Sequence, residues 1–153
     1  MITIEFEAQP VLTALSRLLQ AGADLKPAYQ DIGEYLVRST KQRGADGLAP
    51  DGTAWAPLSP VTIERKGHDT PLVGESKRLL SEIHYQITAD GVEVGSALEY
   101  AGTMHFGAAK HSFAGGQTPW GDIPAREIVG LSEDDGAAVL DILQEHLEAA
   151  VGG

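Results

Sequence analysis

The chain has 153 residues, enough for one domain of ordinary size with a single buried core. Eleven Lys and Arg against 22 Asp and Glu give a formal charge of −11, which argues against clamping a phosphate backbone, since that takes clustered cations. With no Cys, disulfides, thiolate zinc sites, iron–sulfur clusters and cysteine nucleophiles are excluded together.

No apolar run approaches the roughly 20 residues of a membrane helix. The start, Met1-Ile2-Thr3-Ile4-Glu5, lacks a basic region followed by an apolar stretch, so the expectation is a soluble protein made in a cytoplasm, with no membrane partner. The acid is uneven. Residues 1–80 carry nine basic and ten acidic side chains, residues 81–153 two and twelve. Solvated faces explain that polarity; so does head-to-tail assembly in which the basic residues of 38–78 meet the acidic surface of 133–148.

In chain order, Ile2, Ile4 and Phe6 alternate with polar residues and predict a strand. Leu12, Leu15, Leu18 and Leu19 predict an amphipathic helix over about 10–21, ending at Gly22. A second helix over about 26–43 is capped by Asp24, carries Pro27 in its first turn, and buries Ile32, Tyr35, Leu36 and Ser39. Lys41 and Arg43 suit its negative C-terminus, and Gly44 its left-handed exit. The two helices are expected to lie antiparallel behind the strand.

A long irregular stretch, about 44–74, follows. It contains the turn Ala49-Pro50-Asp51-Gly52 and a short helix from the Ser59-Pro60 cap to Lys66. Leu79, Leu80 and Ile83 suggest another helical turn. Ile83, Tyr85 and Ile87 alternate into Asp90-Gly91, and Val92 and Val94 alternate out, which predicts a β-hairpin over about 83–96 with a two-residue type I′ turn. Tyr100 to Phe106 reads as a short helix, and Gly107 to Asp122 as a long exposed loop. Ile128-Val129 reads as a last edge strand after Pro124. Ser132 caps a helix over about 133–149, whose Leu140, Leu143 and Leu147 are expected to dock on the sheet. The fold class is α+β: a single domain, 1–153, with a small, mainly antiparallel sheet and helices at both ends of the chain.

The search for chemistry is empty. His105, His111 and Asp122 lack the spacing of a zinc hydrolase, and the histidines read as solvated, with His68 and His146 lacking an obvious partner. There is no Gly-x-Ser-x-Gly elbow and no phosphate loop. Trp55 and Trp120 read as core or interface anchors, since almost no positive charge surrounds them. No catalytic residue, metal or cofactor is expected.

Three stretches in series carry a resemblance: Pro50 to Leu58 with Thr62 and Lys66; Gly74 through the hairpin to Ser96, then Tyr100-Ala101 and His105-Phe106-Gly107; and Ile123 to Arg126 with Gly130-Leu131-Ser132. Together, over about residues 28–148, the chain resembles the phage virion morphogenesis family, the tail-completion proteins of Mu-like and P2-like bacteriophages. Glu127-Ile128 departs from the family pattern after the arginine.

The resemblance implies a structural virion protein, not an enzyme, at the head-proximal end of the tail or in the neck. It implies a ring homo-oligomer, most often a hexamer, beside tail tube, terminator or head-connector proteins, assembled in the host cytoplasm. DNA would be passing cargo, and six copies at −11 each would repel it. Within that reading Trp55 and Leu58 anchor the irregular segment on the sheet, Gly95, Gly107 and Gly130 supply backbone conformations or close approach, and Tyr100 belongs to the motif. Arg126 is expected to pair with a carboxylate. Arg65, Lys66, Lys77, Arg78, Phe113, Trp120 and Arg126 are the candidate contact residues. The competing readings are a small acidic protein-binding regulatory module and a metal-dependent hydrolase built on His105, His111 and Asp122.

Overall fold

The computed structural model describes residues 9–69, 71, 78–89, 91–98, 101–107 and 124–152. The strand expected at residues 2–6, most of the 107–122 loop with His111, Phe113, Trp120 and Asp122, and Lys77, Asp90 and Tyr100 lie outside these residues, as do the side chains of Lys66 and Arg78. The described elements are α1 (Gln9–Gln20), α2 (Lys26–Asp46), α3 (Pro60–Lys66), α4 (Arg78–Ser81), β1 (His84–Ile87), β2 (Val92–Gly95), α5 (Ala101–Phe106) and α6 (Glu133–Gly152). The class is α+β, as expected.

Local signals placed most of these elements. Ser59 Oγ accepts the Thr62 amide, Pro60 opens α3, and Gly67 closes it at φ +77°. Asp24 Oδ1 accepts the Lys26 amide (3.1 Å) at the entry to α2. Ser132 and Asp135 exchange two bonds, Asp135 N–H to Ser132 Oγ and Ser132 N–H to Asp135 Oδ2 (3.0 and 3.1 Å), a capping box that starts α6.

α2 runs three residues past the expected Gly44 exit and ends at Gly47, whose φ is +71°. Gly44 lies inside the helix, where its missing side chain makes room for Leu80: a Cβ there would lie 2.5 Å from Leu80 Cδ2.

The hairpin pairs His84 with Gly95 through Ile87 with Val92. Its turn differs from the two-residue Asp90-Gly91 expectation. Thr88 N–H donates to Gly91 O (2.8 Å) and Gly91 N–H to Thr88 Oγ1 (3.1 Å), so Gly91 lies in the closing pair and not at the turn's centre. The Ile128-Val129 edge strand is not formed. The Arg126 amide donates to Met104 O and the Ile128 amide to His105 Nδ1, so the segment bonds to α5 and joins no ladder.

Two apolar clusters share α2. Leu18, Ala28, Ile32, Val139 and Leu143 join α1, α2 and α6. Ala49, Trp55, Leu79, Ile83, Ala101, Ile128 and Val129 form the other, with Val37 of α2 and Val94 of β2 packed against it. α6 therefore docks on α1 and α2, not on the sheet as expected, because Val139, Ile142 and Leu143 complete a three-helix core. Half the expected α1 stripe stays out of this core: Leu12 and Leu19 are exposed.

α2 holds the hairpin through Tyr85, whose ring lies where a Cβ on Gly33 would sit and would overlap Tyr85 Cδ2. Gly33→Ala is expected to push the ring off α2 and destabilise the protein by about 1–3 kcal/mol, the usual cost of overpacking. Thermal melting of Gly33→Ala beside Gly136→Ala, a helical glycine with open space around it, checks this; equal melting temperatures for the two variants would refute it.

Candidate functional site

The best-connected polar group is Asp135, in the first turn of α6 and 1% exposed. Arg43 Nη1 reaches its Oδ2 at 2.6 Å, and the hydroxyls of Ser39 and Tyr35 donate to its Oδ1. Arg43 Nη2 donates to Gly130 O (3.1 Å), and Nη1 also reaches Ser39 Oγ. Burial alone would raise the Asp135 carboxyl, but Ser39, the Ser132 amide, Arg43 and Tyr35 together hold it below its ordinary value of 3.8. Burial, with the Asp135 charge beside it, pushes the Tyr35 hydroxyl up. Arg43 Nε is the one buried side-chain polar atom without a partner among the described residues.

This cluster was missed from the sequence, where Arg43 read only as a dipole partner and Asp135 as one of three first-turn acids. The capping-box spacing from Ser132 to Asp135 marks the acid's place; nothing local marks a partner 92 residues away.

A second set of contacts fastens residues 124–130. Trp55 is buried and its Nε1–H donates to Glu127 O (2.8 Å), so it anchors this segment and the second cluster. Leu58 is half-buried and not part of that cluster. Arg126 departs from expectation: it is 6% exposed, and its Nε and Nη2 donate to the carbonyls of Ala56 and Pro57 (2.8 and 3.0 Å), not to a carboxylate. The guanidinium is spent inside the chain, so Arg126 is not placed for a contact between chains. Burial lowers its pKa.

His105 is not a solvated loop residue either. It sits in α5, 2% exposed, and its Nδ1 accepts the Ile128 amide at 3.0 Å, with the Val129 amide at 3.5 Å. The neutral ring therefore carries its proton on Nε2. Burial lowers the pKa below 6.5, against the pull of Glu127. A lone pair given to a backbone amide is not available to a metal, and no group of three His, Asp or Glu suited to a metal occurs among the described residues.

The motif glycines divide. Gly107 has φ +73° after α5, while Gly130 has φ +150° and room for no Cβ beside Pro50 Cγ (2.7 Å). Gly95 is a buried strand residue opposite His84.

The surface charges form a pattern. Asp31 and Glu34 of α2 face Asp141 and Glu145 of α6 across an open cleft that also holds Arg38. His146, expected to lack a partner, lies 2.6 Å from Asp31. Arg65 is exposed on α3, as a contact residue must be.

Compared with known families, residues 6–148 match the phage virion morphogenesis family. No curated protein and no solved structure matches the chain. The match reaches further toward the N-terminus than the motifs alone and takes in all of α1.

Two acid steps are expected in stability. His105 titrates below 6.5 when folded, so the unfolded chain binds more protons as pH falls from about 6.5 to the folded value, and stability drops across that window. His105→Asn, which keeps an acceptor near Nδ1 without titrating, should remove this first step. Asp135 gives a second loss as pH falls from about 3.8 toward its lower folded value. Denaturant midpoints between pH 7.5 and 3 measure both; an unchanged first step in His105→Asn would assign it elsewhere. At neutral pH Asp135→Ala, which leaves the Arg43 charge buried and unpaired, should cost about 3–5 kcal/mol.

Proposed function

The chain belongs to the phage virion morphogenesis family, and from that premise we propose that it completes the head-proximal end of the tail or the neck, joining tail to head as a ring through which DNA passes. Membership itself makes it a virion morphogenesis protein of structural kind that meets other virion components. The observation that carries the reading is the extent of the match, which includes all eight described elements except the last turn of α6.

The spending of polar groups supports it. Arg43, Asp135, Arg126 and His105, the buried ionisable side chains of the described fold, bond one another or the backbone of their own chain. That arrangement builds a rigid part, and we read the protein as non-enzymatic. The charge supports passage of DNA: at −11 per copy, with Glu133, Asp134, Asp141, Glu145 and Glu148 along α6, a ring lined by that helix repels the phosphate backbone. Its domain is taken as 1–153, and its contact set as Arg65, Lys66, Lys77 and Arg78 with Phe113 and Trp120. Arg126 is left out because it is buried.

A phage lacking this gene product should yield filled heads and tails that remain unjoined, seen by electron microscopy of lysates, with infectious titre falling by orders of magnitude. Supplying the protein to such a lysate should restore joined particles. Intact particles at normal titre without it would overturn the reading.

A further inference from the structure

The hairpin is a two-stranded ribbon four residues long on each side, and such a ribbon holds its shape only when packed on something. Here it packs on α2. The Thr88 amide donates to Gly91 O, so Thr88 and Gly91 form a hydrogen-bonded pair. Hydrogen-bonded and non-bonded pairs alternate along an antiparallel ladder. Gln86 with Glu93 and His84 with Gly95 are then the other bonded pairs. The N–H and C=O groups of Tyr85 and Ile87 therefore point outward from β1, and those of Val92 and Val94 outward from β2. Among the described residues neither outer edge joins a further strand.

Both edges have space beside them and share a floor. Beside β1 lies an open cleft of about 460 Å³, lined by Val37, Ile83 and Tyr85, with Arg38 and Lys41 against one carboxylate, Glu34. Beside β2 lies a cleft of about 170 Å³ lined by Val92, Val94, Leu36, Thr40 and Leu131. α2 underlies both. The outward faces also match: Gln86 Nε2 donates to Glu93 Oε2 at 3.0 Å within one ribbon, and a Gln86 edge set against a Glu93 edge can repeat that bond.

We propose that the occupant of the β1 edge is the β2 edge of a second copy of this chain, so that hairpins join edge to edge into one continuous antiparallel sheet. This rests on the ring reading above. Tyr85 and Ile87 bond Val94 and Val92 of the next copy, and Tyr85, Ile87, Val92 and Val94 all keep their α2-facing side. The contact is heterologous, β1 to β2, so each copy uses both edges and the series closes when the rotation allows. A β1-to-β1 contact would stop at a dimer with two edges open, the exposed ladder that folded proteins avoid.

In this register Gln86 faces Glu93 of the next copy as a non-bonded pair, with Cα atoms about 4.5 Å apart, within the range a disulfide spans. The chain has no cysteine, so Gln86→Cys and Glu93→Cys each carry one thiol and neither can close a bridge within itself. Both are made together in a host infected by phage lacking the wild-type gene, and purified particles are oxidised and run on non-reducing gels. A linked dimer is expected from the mixture, several-fold above either variant alone. Val92→Pro, which removes an outward N–H from an edge strand and spares the hairpin's own ladder, should fold by circular dichroism yet fail to enter particles.

The mass of the complex released from particles by mild dissociation keeps the two readings apart. A ring without the mixed disulfide, or with Val92→Pro entering normally, overturns the edge contact and leaves the ring. A single copy per particle overturns both. Linked dimers from Gln86→Cys alone would mean that β1 edges pair with each other, and would overturn the heterologous contact.

Discussion

The buried ion pair between Arg43 and Asp135 joins parts of the fold that nothing local would bring together. Arg43 stands near the end of α2 and Asp135 in the first turn of α6, and the same guanidinium holds the carbonyl of Gly130. One side chain therefore ties the first turn of α6 and the segment before it to α2. Removing two charges from water costs several kcal/mol per ion, and the attraction repays that only because hydrogen bonds fill most of the remaining positions. Asp135 accepts from Arg43, Ser39, Tyr35 and the Ser132 amide. The pair acts as a specifier of arrangement more than as a source of net stability.

Around that point the two apolar clusters divide the work. The cluster of α1, α2 and α6 is a helical core. The other collects short elements with little regular structure of their own: α4, α5, the residues around Trp55, and the Ile128-Val129 segment. Short elements bury little each, so their backbones need partners from side chains. Trp55 and His105 provide a donor and an acceptor to the same stretch, residues 127–128, and Arg126 binds back to Ala56 and Pro57. These reciprocal bonds hold the irregular chain in place where a ladder would otherwise do so.

A part built this way suits a virion. Among the described residues the buried charges are held in bonds that fix shape, and the chain as a whole is a strong net acid. The first fixes the shape of the part, and the second makes like-charged surfaces repel. The hairpin's backbone edges can make the proposed contact despite that charge, because hydrogen-bond ladders do not depend on it.

Much of this fold is decided by signals a few residues wide. Ser59-Pro60 with Gly67, Ser132 with Asp135, and the alternation through Tyr85, Ile87, Val92 and Val94 each act through bonds or periodicity within one element, so the sequence alone set the helices, the hairpin, the α+β class and the family. Tertiary structure decided what depends on a neighbour far along the chain. Gly44 makes room for Leu80 inside a helix that it does not end, Ile128-Val129 is no strand because α5 takes its amides, and α6 packs on helices because their faces complete its own. Arg126 took carbonyls where a carboxylate was expected, and His105 became a buried acceptor. In each case the residue type was visible in the sequence but its partner was not, because burial and pairing are properties of two surfaces and the sequence shows only one at a time.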